Sequence, residues 1–289
     1  MNQFTISDIE ILSGIKAQTI RVWEQRYGIL IPKRKESKHR IYDNNDLKEI
    51  LSIAYLNRSG FKISKIAGMT LDERNRLTIL NISSESLYQN YIDQFIESGI
   101  TLDEKRFQKI YQTIIPQIGF EKLMIHIYYP LLQQIGAYWL SNKINPAHEH
   151  FISEQIIRNI DIEMQKLPVV KKGPVTLLYL PEGEYHRIPL LFINYLLRKN
   201  SKRTVYLGAD TSLNILQSYM LKNKVDKIHI HMITKLFNYQ PEEYISRLLR
   251  ICKDQHIILS GPVGASIEIE NSRLTKLNSL QALLNYAYA

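Results

Sequence analysis

From residue 174 onward, short apolar runs alternate with amphipathic stretches, and this pattern restricts the fold more than any other feature of the chain. The runs PVTLLYL, RTVYLGA, VDKIHIHMI and HIILSG are predicted strands, and segments with the apolar spacing of a helix separate them. Strands that alternate with helices pair in parallel, because each helix carries the chain back across the sheet. We therefore expect residues 174–289 to form a Rossmann-like α/β domain with a doubly wound parallel sheet.

Residues 84–167 show a different pattern, in which apolar residues recur at spacings of three and four. Four such stretches follow one another, beginning near Leu87, Glu104, Glu121 and Glu149. This spacing predicts a four-helix bundle. Residues 1–75 instead switch rapidly between short helical patterns and turns, which predicts a small helical domain with a basic loop that forms a wing.

Composition limits the kinds of function that are open to the chain. The formal net charge is +9, and residues 1–70 carry 12 Lys and Arg against 7 Asp and Glu, so 12 − 7 = +5 of that excess lies there. A basic excess in one domain favours a polyanionic partner such as DNA. The single cysteine, Cys252, excludes an internal disulfide, and we expect it in the core. Long apolar runs and a signal-peptide pattern are missing, so we expect a cytoplasmic protein without a membrane partner.

The stretch KAQTIRVWEQRYGI predicts a helix that reads DNA. Ile20, Val22 and Trp23 supply its predicted apolar side, which leaves Arg, Gln and Thr side chains for the major groove. The following loop, PKRKESKHRIYD, carries cations that can neutralise phosphates and position the helix. The predicted DNA-binding residues are Thr19, Arg21, Trp23, Arg26, Tyr27, Lys35, Lys38, His39, Arg40 and Tyr42. A solvated basic face without a partner is the alternative interpretation.

The order of these segments resembles the DNA-binding domain of the MerR family. TISDIEILSGI, TIRVWEQRYGIL, HRIYDNNDL and NRSGFKISKI are similar to the first helix, recognition helix, arginine–tyrosine wing and second helical pair of that family. The resemblance covers about 70 residues. It implies a winged helix-turn-helix that binds a palindromic operator in double-stranded DNA as a dimer or tetramer, with RNA polymerase or another regulator as a further partner. Many family members dimerise through a long coiled coil after this head; residues 70–83 are short, so other surfaces are expected to join the protomers.

The sequence PEGEYH follows the first predicted strand, at the edge of the sheet where parallel α/β proteins bind ligands. His186 can offer one ring nitrogen to a metal there. Glu184, two residues earlier, can accept a hydrogen bond from the other ring nitrogen and so fix the tautomer. An exposed loop histidine without a ligand is the alternative for so short a pattern.

Together with later turns, this loop resembles the cobalamin-binding domain that mutases, methionine synthases and light-responsive repressors of carotenoid genes share. The resemblance implies that His186 is the lower ligand of the cobalt. The cofactor-binding residues that it implies in this half are Glu184, His186, Gly208, Thr234, Gly261 and Gly264. Pro189 and Pro262 depart from the family, since each stands where the family has glycine. Proline fixes φ and removes an N–H, so a need for a positive φ or for a close approach of the corrin would be unmet there.

A second motif of the light-responsive subgroup lies in the predicted bundle. Trp139, nine intervening residues, and then Glu149 and His150 resemble the W-x9-EH pattern of these photoreceptors. The resemblance implies that these residues cover the upper face of adenosylcobalamin. An ordinary core Trp and a helix-start acid are the alternative. The photoreceptors carry a histidine directly after the Trp, where this chain has Leu140.

These resemblances imply a DNA-binding transcription regulator, a repressor, whose second half senses a cobalamin, with adenosylcobalamin as the form that senses light. The alternative is the same architecture with a degenerate sensor that binds no cobalamin and responds to a protein partner or to its own assembly. Pro189, Pro262 and Leu140 favour that alternative. The DNA-binding head argues against an enzyme subunit that presents cobalamin to a catalytic partner, so we expect no catalytic residue.

Overall fold

The structure, a computed structural model, describes residues 4–30, 32–34, 40–58, 60–70, 73–74, 77, 84–140, 144–234 and 240–289. The chain divides into two compact units, Met1–Ile156 and Ile157–Ala289, and the division falls inside one long helix. Each unit has its own buried core. The expected order of helical head, helical bundle and Rossmann-like parallel sheet is confirmed.

The first unit begins with a helical head that carries a two-stranded wing. Its elements are α1 (Ile6–Ser13), α2 (Ala17–Tyr27), β1 (Lys33–Arg34), β2 (Arg40–Ile41), α3 (Asn44–Arg58) and α4 (Ile63–Ala67). A capping box starts α1, because Thr5 and Asp8 each accept a hydrogen bond from the backbone N–H of the other. β1 and β2 pair antiparallel, and Tyr42 forms the next bridge with Phe4. We call β1, β2 and Tyr42 the wing.

The helical bundle follows the head. It contains α5 (Ser84–Ile100), α6 (Glu104–Ile118), a third rod made of α7 (Phe120–Leu123), a π-helical turn (Met124–Tyr128) and α8 (Tyr129–Leu140), and finally α9 (Pro146–Gln165). Phe95, Phe107 and Tyr128 pack at its centre, with ring centroids 4.5, 5.3 and 6.4 Å apart. The π-helical turn precedes Pro130, which has no N–H to donate to the carbonyl of His126, four residues earlier. Within the turn, the Tyr129 N–H donates to the Met124 carbonyl, five residues earlier.

The head packs directly on the bundle within this unit. α3 lies against α5, and Nζ of Lys48 lies 3.9 Å from Oε1 of Glu97. The nearly buried Glu97 carboxylate also accepts two hydrogen bonds of 2.6 Å from the Arg106 guanidinium. The Tyr138 hydroxyl of α8 donates to the Ile11 carbonyl of α1 at 2.8 Å. Polar contacts therefore join the head to two helices of the bundle.

The second unit is a five-stranded parallel sheet with helices on both faces. Its elements are β3 (Val175–Pro181), α10 (Arg187–Lys199), β4 (Arg203–Thr211), α11 (Leu213–Met220), β5 (Lys227–His231), α12 (Pro241–Ile251), β6 (His256–Ser260), α13 (Gly261–Ser266), β7 (Leu274–Leu277) and α14 (Leu280–Tyr288). The strand order is β4–β3–β5–β6–β7. The four predicted strands are confirmed. The sequence pattern does not reveal β7, because LTKL is short and half polar.

The two faces of this sheet differ in polarity. Ile228 and Ile230 of β5 belong to an apolar core that α11 and α12 complete. His229 and His231 alternate with them and therefore lie on the opposite face, where the His229 ring packs edge-on against Tyr286 of α14. His231 is the last residue of β5, so this polar face reaches the edge of the sheet where the sequence predicts a ligand site.

Three further features of the described residues concern the cysteine, the helix lengths and possible metal ligands. Cys252 is fully buried in the apolar core, as expected. Across the described ranges, every helix is too short or too polar to cross a membrane. In the same part of the chain, His, Cys, Asp and Glu side chains form no group of three or more that could hold a metal ion. A metal site built from several protein ligands is therefore not found there.

Candidate functional sites

The strand order reverses at β3 and β5, which lie side by side within the sheet. In open α/β sheets the loops that leave such a pair run in opposite directions, and the crevice between them, at the carboxyl ends of the strands, binds ligands. The loop after β3 contains Glu184 and His186, and the segment after β5 contains Ile233 and Thr234. This edge of the sheet is the candidate ligand site of the second unit.

Glu184 joins the two loops. Its side chain is fully buried, and Oε2 accepts hydrogen bonds from the backbone N–H groups of Ile233 and Thr234 at 2.9 and 2.8 Å and from the Thr234 hydroxyl at 3.0 Å. Oε1 accepts from the His186 backbone N–H at 3.1 Å and lies 2.6 Å from Nδ1 of the His186 ring. Burial alone would raise the pKa of Glu184, but the hydrogen bonds that both oxygens accept hold that pKa well below its usual range. The carboxylate is therefore ionised.

These contacts fix the orientation of the His186 ring. An ionised carboxylate only accepts, so Nδ1 carries a proton, and in the neutral form of the ring Nε2 is the nitrogen with the lone pair. The His186 side chain is 56% exposed, although Glu184 beneath it is fully buried. Metal-binding histidines are commonly oriented by such a carboxylate, which raises the basicity of the ring. The pair therefore has the donor chemistry of a single protein ligand to a metal.

A second acid holds the same loop from β4. Oδ1 of Asp210 accepts from the Gly183 N–H at 3.0 Å, and the Asp210 N–H donates to the Glu184 carbonyl at 3.4 Å. The pairing of β4 with β3 shifts register here, and Gly208 and Asp210 have φ of 94° and 54°. An irregularity of this kind redirects a side chain at the end of a strand. The sequence motif contains Gly208 but gives no signal for Asp210, whose role depends on this irregularity.

Glycine is required at position 261, at the start of α13. Gly261 has φ 86°, and a Cβ there would lie 2.4 Å from the Met232 carbonyl oxygen. Pro262 lies in the first turn of α13 and Pro189 in the first turn of α10, and neither has a positive φ. The N–H groups of a first helical turn have no acceptor within the helix, so neither proline removes a hydrogen bond. The expected conflict at the two prolines therefore does not arise within the fold. Gly264 is buried in α13.

Three buried polar side chains, those of His229, His231 and Ser260, lie together on the face of the sheet that α14 covers. The Ser260 hydroxyl oxygen lies 2.9 Å from Nε2 of His229 and 2.8 Å from Nδ1 of His231. Burial lowers the pKa of His229 to about 3 and that of His231 to about 4. Both rings are therefore neutral near pH 7. The sequence does not single out these three residues, because the pairing register of β5 and β6 brings them together.

In the head, α2 presents a polar face to solvent. The predicted DNA-binding residues on α2 with exposed or half-exposed side chains are Thr19, Arg21, Arg26 and Tyr27. Gln18 and Gln25 are exposed as well; each lies about one helical turn from Arg21, and about two turns separate them from each other. These two amides belong to the same candidate surface, although neither residue stands out in the sequence.

The inner side of α2 differs from the prediction at one residue. Ile20 and Trp23 are buried in the head, as the pattern predicts, but Val22 is 46% exposed. Val22 lies about 200° around the helix from Ile20, so its assignment to the apolar side was wrong. Trp23 supports the helix from within, and its side chain is not available on the surface for contact with DNA.

Glu24 of α2 ties the wing to the helix. Its side chain is only 8% exposed, and Oε2 accepts from Nε of Arg40 at 2.9 Å while Oε1 accepts from the Tyr42 hydroxyl at 2.5 Å. Tyr42 is fully buried, and burial together with Glu24 raises the pKa of its hydroxyl well above the usual value. Arg40 keeps 34% of its side chain exposed. Lys35, Lys38 and His39, predicted to bind DNA, lie outside the described residues.

The residues of the W-x9-EH motif lie at the surface of the first unit. Trp139, near the end of α8, is 50% exposed, so it is not an ordinary core residue of the bundle. Glu149 and His150 lie in the first turns of α9, where Oε1 of Glu149 accepts from the Ser153 hydroxyl at 2.7 Å. Leu140 is the last residue of α8, and its side chain is outside the described part. An exposed tryptophan beside a helix start is compatible with a surface that covers a ligand.

Two family profiles match the chain, one over the head and one over the helical bundle. The MerR HTH family regulatory protein profile matches residues 4–73, and the B12 binding domain profile matches residues 91–162, within the helical bundle. The HTH-type transcriptional repressors CarA and CarH of Myxococcus xanthus are 24% and 23% identical to the chain over 261 and 243 residues. These matches cover 89% and 82% of this chain and 85% and 81% of the two repressors.

Among solved structures, the monomethylamine corrinoid protein of Methanosarcina barkeri has a similar fold. It matches with a TM-score of 0.56 at 11% identity, over 69% of this chain and 98% of its own. The chain therefore combines a MerR-type helix-turn-helix with a B12-binding domain, and it is homologous to the two Myxococcus repressors over most of its length. It is a transcriptional regulator of the MerR type.

Proposed function

We propose that this regulator represses transcription from a palindromic operator and senses a cobalamin through His186. The observation that carries the sensing proposal is the buried, ionised Glu184, which holds His186 at the switch point of the sheet with Nε2 as its lone-pair nitrogen. The similarity to two transcriptional repressors and the fold shared with a corrinoid protein support it. A histidine that a buried carboxylate orients could supply the ring nitrogen that would hold the cobalt of a cobalamin.

The residues of the second unit would divide the task of holding the cofactor. His186 would be the lower cobalt ligand, Glu184 would set its tautomer, and Thr234 would hold Glu184 through its hydroxyl and backbone N–H. The glycines at positions 208, 261 and 264 shape the neighbouring turns. Prolines at the helix starts are compatible with these roles, because both fit the first turn of a helix.

The residues of the W-x9-EH motif are the proposed contacts of the adenosyl group. Trp139 would pack on an adenosyl group, and Glu149 and His150 would offer polar atoms to its ribose or base. When bound, adenosylcobalamin supplies a cobalt–carbon bond that visible light breaks. Light then changes DNA binding only if the two forms of the cofactor stabilise different assemblies of the chain.

On the DNA side, the exposed face of α2 would enter the major groove. Arg21 and Arg26 would contact bases or phosphates, with Thr19 and Tyr27 at the margin, and Arg40 would belong to the wing that approaches the backbone. Lys35, Lys38 and His39 would add phosphate contacts from the same segment. A palindromic operator implies a dimer or tetramer in the cytoplasm, with RNA polymerase or another regulator as a further partner.

The alternative is a regulator of the same architecture whose sensor binds no cobalamin and responds to a protein partner or to its own assembly. Leu140 favours it, since it stands where the photoreceptors have a histidine. Pro189 and Pro262 favour it as well, because each stands where the family has glycine, although both fit the first turn of a helix. The two functions differ in whether a corrinoid binds at all.

A visible spectrum decides between them. Full-length protein purified in darkness from cells supplied with adenosylcobalamin should show a corrinoid absorption band. His186→Ala should remove the band or shift it, because the axial nitrogen is lost. His256→Ala is the matched control, since His256 lies at the amino end of β6, away from the switch point, bonded to the Thr275 hydroxyl at 2.8 Å. A folded wild-type protein without the band would establish the alternative.

Illumination tests the finer part of the proposal. If the bound form is adenosylcobalamin and light controls assembly, the elution volume on gel filtration should change after exposure to visible light. Trp139→Ala should weaken the difference between dark and light and keep the His186-dependent band. An identical elution volume before and after light, with cofactor bound, would leave a cobalamin sensor that does not respond to light.

A further inference from the structure

Glu24 is an acid on the DNA-reading helix of a head that is otherwise basic. Its side chain is nearly buried, whereas Arg21, Gln25 and Arg26 on the same helix are exposed. A buried carboxylate is unfavourable unless hydrogen bonds and an opposite charge satisfy both its oxygens. Negative charge near phosphates also opposes DNA binding. The position of Glu24 therefore needs an explanation that the basic surface does not provide.

Both oxygens of Glu24 are used by the wing. Nε of Arg40 donates to Oε2 at 2.9 Å, and the Tyr42 hydroxyl donates to Oε1 at 2.5 Å. Arg40 and Tyr42 are two residues apart in extended chain, so their side chains lie on the same side of it. One carboxylate thus holds the second strand of the wing against α2 at two points, and the bond from Arg40 is strengthened by charge.

Tyr42 is itself held on its other side. Its backbone N–H and carbonyl exchange hydrogen bonds of 2.9 Å with the carbonyl and N–H of Phe4, and its side chain is fully buried. The strand therefore cannot shift at Tyr42 without breaking these bonds or the bond to Glu24. Arg40, two residues earlier, is the partner of Glu24 that keeps a third of its side chain in solvent. Glu24 consequently determines where the exposed part of Arg40 lies relative to α2.

We propose that Glu24 is the positioning residue of the DNA reader, which sets the distance and angle between α2 and the wing so that both meet one duplex. This inference rests on the proposed DNA-binding function. Phosphate contacts set the register in which a recognition helix meets the bases, and contacts that are ordered before binding cost less on association. In this role the buried Tyr42 acts only through the geometry of the wing, whereas Arg40 also offers its exposed part to the DNA backbone.

A positioning role of Glu24 and a purely electrostatic role predict opposite effects of Glu24→Gln on DNA affinity. Glu24→Gln removes a negative charge and keeps the shape of the side chain. If the charge acted only through the field around the head, the loss would tighten DNA binding. If Glu24 positions the wing, the same change weakens binding, because the bond to Arg40 loses its charge and the wing moves relative to α2.

The experiment uses full-length protein and two duplexes, one selected by the wild-type chain from a randomised library and one of random sequence. Glu24→Gln should weaken binding to the selected duplex about tenfold, and Tyr42→Phe several-fold, with a smaller change on the random duplex, since the register contacts are lost. The slope of affinity against salt should become shallower by about one charge as the wing loses a phosphate contact.

Glu49→Gln is the matched control. Glu49 pairs with Arg74 at 3.0 Å in the same head, away from the wing, so its loss also removes one negative charge from an ion pair. It should leave binding unchanged or slightly tighter. Tighter binding by Glu24→Gln as well would overturn the proposal, and so would equal losses in Glu24→Gln and Glu49→Gln.

Hydrogen exchange separates this proposal from the proposed function. The Tyr42 amide, bonded to the Phe4 carbonyl, should exchange faster in Glu24→Gln and in Tyr42→Phe than in wild type or Glu49→Gln. If the wild type selects no duplex, the proposed DNA-binding function fails, and this exchange rate alone decides whether Glu24 holds the wing. An unchanged rate would overturn the inference even if the wild type binds DNA.

Discussion

The reader site and the ligand site are each held together by a buried glutamate, and the partners of the two glutamates differ. Glu24 binds the charged Arg40, which is partly in solvent, and the Tyr42 hydroxyl. Glu184 binds the N–H groups of three backbone positions, one hydroxyl and the imidazole of His186. The reader geometry therefore depends on one ion pair between a helix and a strand. The ligand geometry depends on main-chain positions that the whole sheet maintains.

Two glycines with positive φ, one in each half, also show that the ligand site depends more on packed backbone than the reader does. Gly28 ends α2 with φ 67°, and a Cβ there would meet nothing within 4 Å. Gly261 has φ 86° and would bring a Cβ to 2.4 Å from the Met232 carbonyl oxygen. The reader thus requires a backbone conformation at its glycine, whereas the edge of the sheet requires both a conformation and a close approach of two chain segments. We expect the ligand half to tolerate substitution less well.

The largest effect is expected at Gly261, and Gly28 provides the comparison. Gly261→Ala should lower the free energy of unfolding by about 3 kcal/mol or more, because left-handed strain and a clash with backbone add together. Gly28→Ala should lower it by about 1 kcal/mol, from strain alone. Urea unfolding of the full chain, with hydrogen exchange to assign each transition to a unit, measures both. Equal losses in the two variants would show that crowding at Met232 is not important.

The next largest difference in stability is expected between substitutions of Glu184 and Glu24. Glu184→Gln places an amide N–H₂ where backbone N–H groups donate, and we expect a loss of about 3 kcal/mol in the free energy of unfolding of the second unit. Glu24→Gln should lower that of the head by about 1 kcal/mol, because Arg40 is partly solvated and the amide still accepts one hydrogen bond. The same urea and exchange measurements apply. A larger loss at Glu24 would reverse the comparison.

A pH effect of intermediate size should be larger in the ligand half, because His229 and His231 are more deeply buried than His148 of the bundle, whose pKa burial also lowers. His229 and His231 have folded-state pKa values of about 3 and about 4, lowered by burial from 6.5, so protons bind them more readily in the unfolded chain. The free energy of unfolding should therefore be full above pH 6.5 and fall as the pH decreases, by about 2 kcal/mol over the first unit of pH below that value.

Neutral side chains of similar shape provide the control for this pH effect. In His229→Gln the amide nitrogen can replace Nε2 toward the Ser260 hydroxyl, and in His231→Asn it can replace Nδ1. Each variant should lose about half of the pH dependence. Other charged or titratable groups near the pair, namely Glu184 and His186 beside His231 and Tyr286 beside His229, remain in both variants. A pH dependence that neither variant reduces would mean that it arises elsewhere.

The smallest effect should come from salt. Raising ionic strength from about 0.1 M to about 1 M should reduce the stability difference between wild type and Glu24→Gln by a few tenths of a kcal/mol, because a partly exposed ion pair is screened. The corresponding difference for Glu184→Gln should change less, since four of its five donors are backbone N–H groups and a hydroxyl. Urea unfolding at the two salt concentrations checks this. If the stability difference between wild type and Glu24→Gln does not change with salt, the Tyr42 hydroxyl, and not Arg40, is the main partner of Glu24.

Head–bundle contacts provide a reference for these effects. Tyr138→Phe removes only the hydroxyl that donates to the Ile11 carbonyl across α8 and α1. We expect a loss of about 1 kcal/mol or less, since the side chain remains packed and the carbonyl can bond to water. Hydrogen exchange of α1 in the full chain would measure it.

Local patterns are enough to predict much of this molecule. The change from helical spacing to alternating strands identifies the bundle and the sheet, because one periodicity suits each element. The Glu184–His186 contact follows from a separation of two residues in a tight loop. Val22 shows the limit of this approach even on one helix, since a residue type does not reveal on which side of the helix it lies.

Contacts between distant parts of the chain were decided by the tertiary structure alone. Glu184 meets Ile233 and Thr234 only because β3 and β5 are neighbours at the point where the strand order reverses. Ser260 meets two histidines because β5 and β6 pair in one particular register. Arg40 and Tyr42, which the sequence indicates as DNA contacts, are turned toward Glu24 by the fold of the wing. Periodicity specifies which side of an element is apolar, but the partners of a polar group depend on how the elements are arranged, and that is a property of the packed chain.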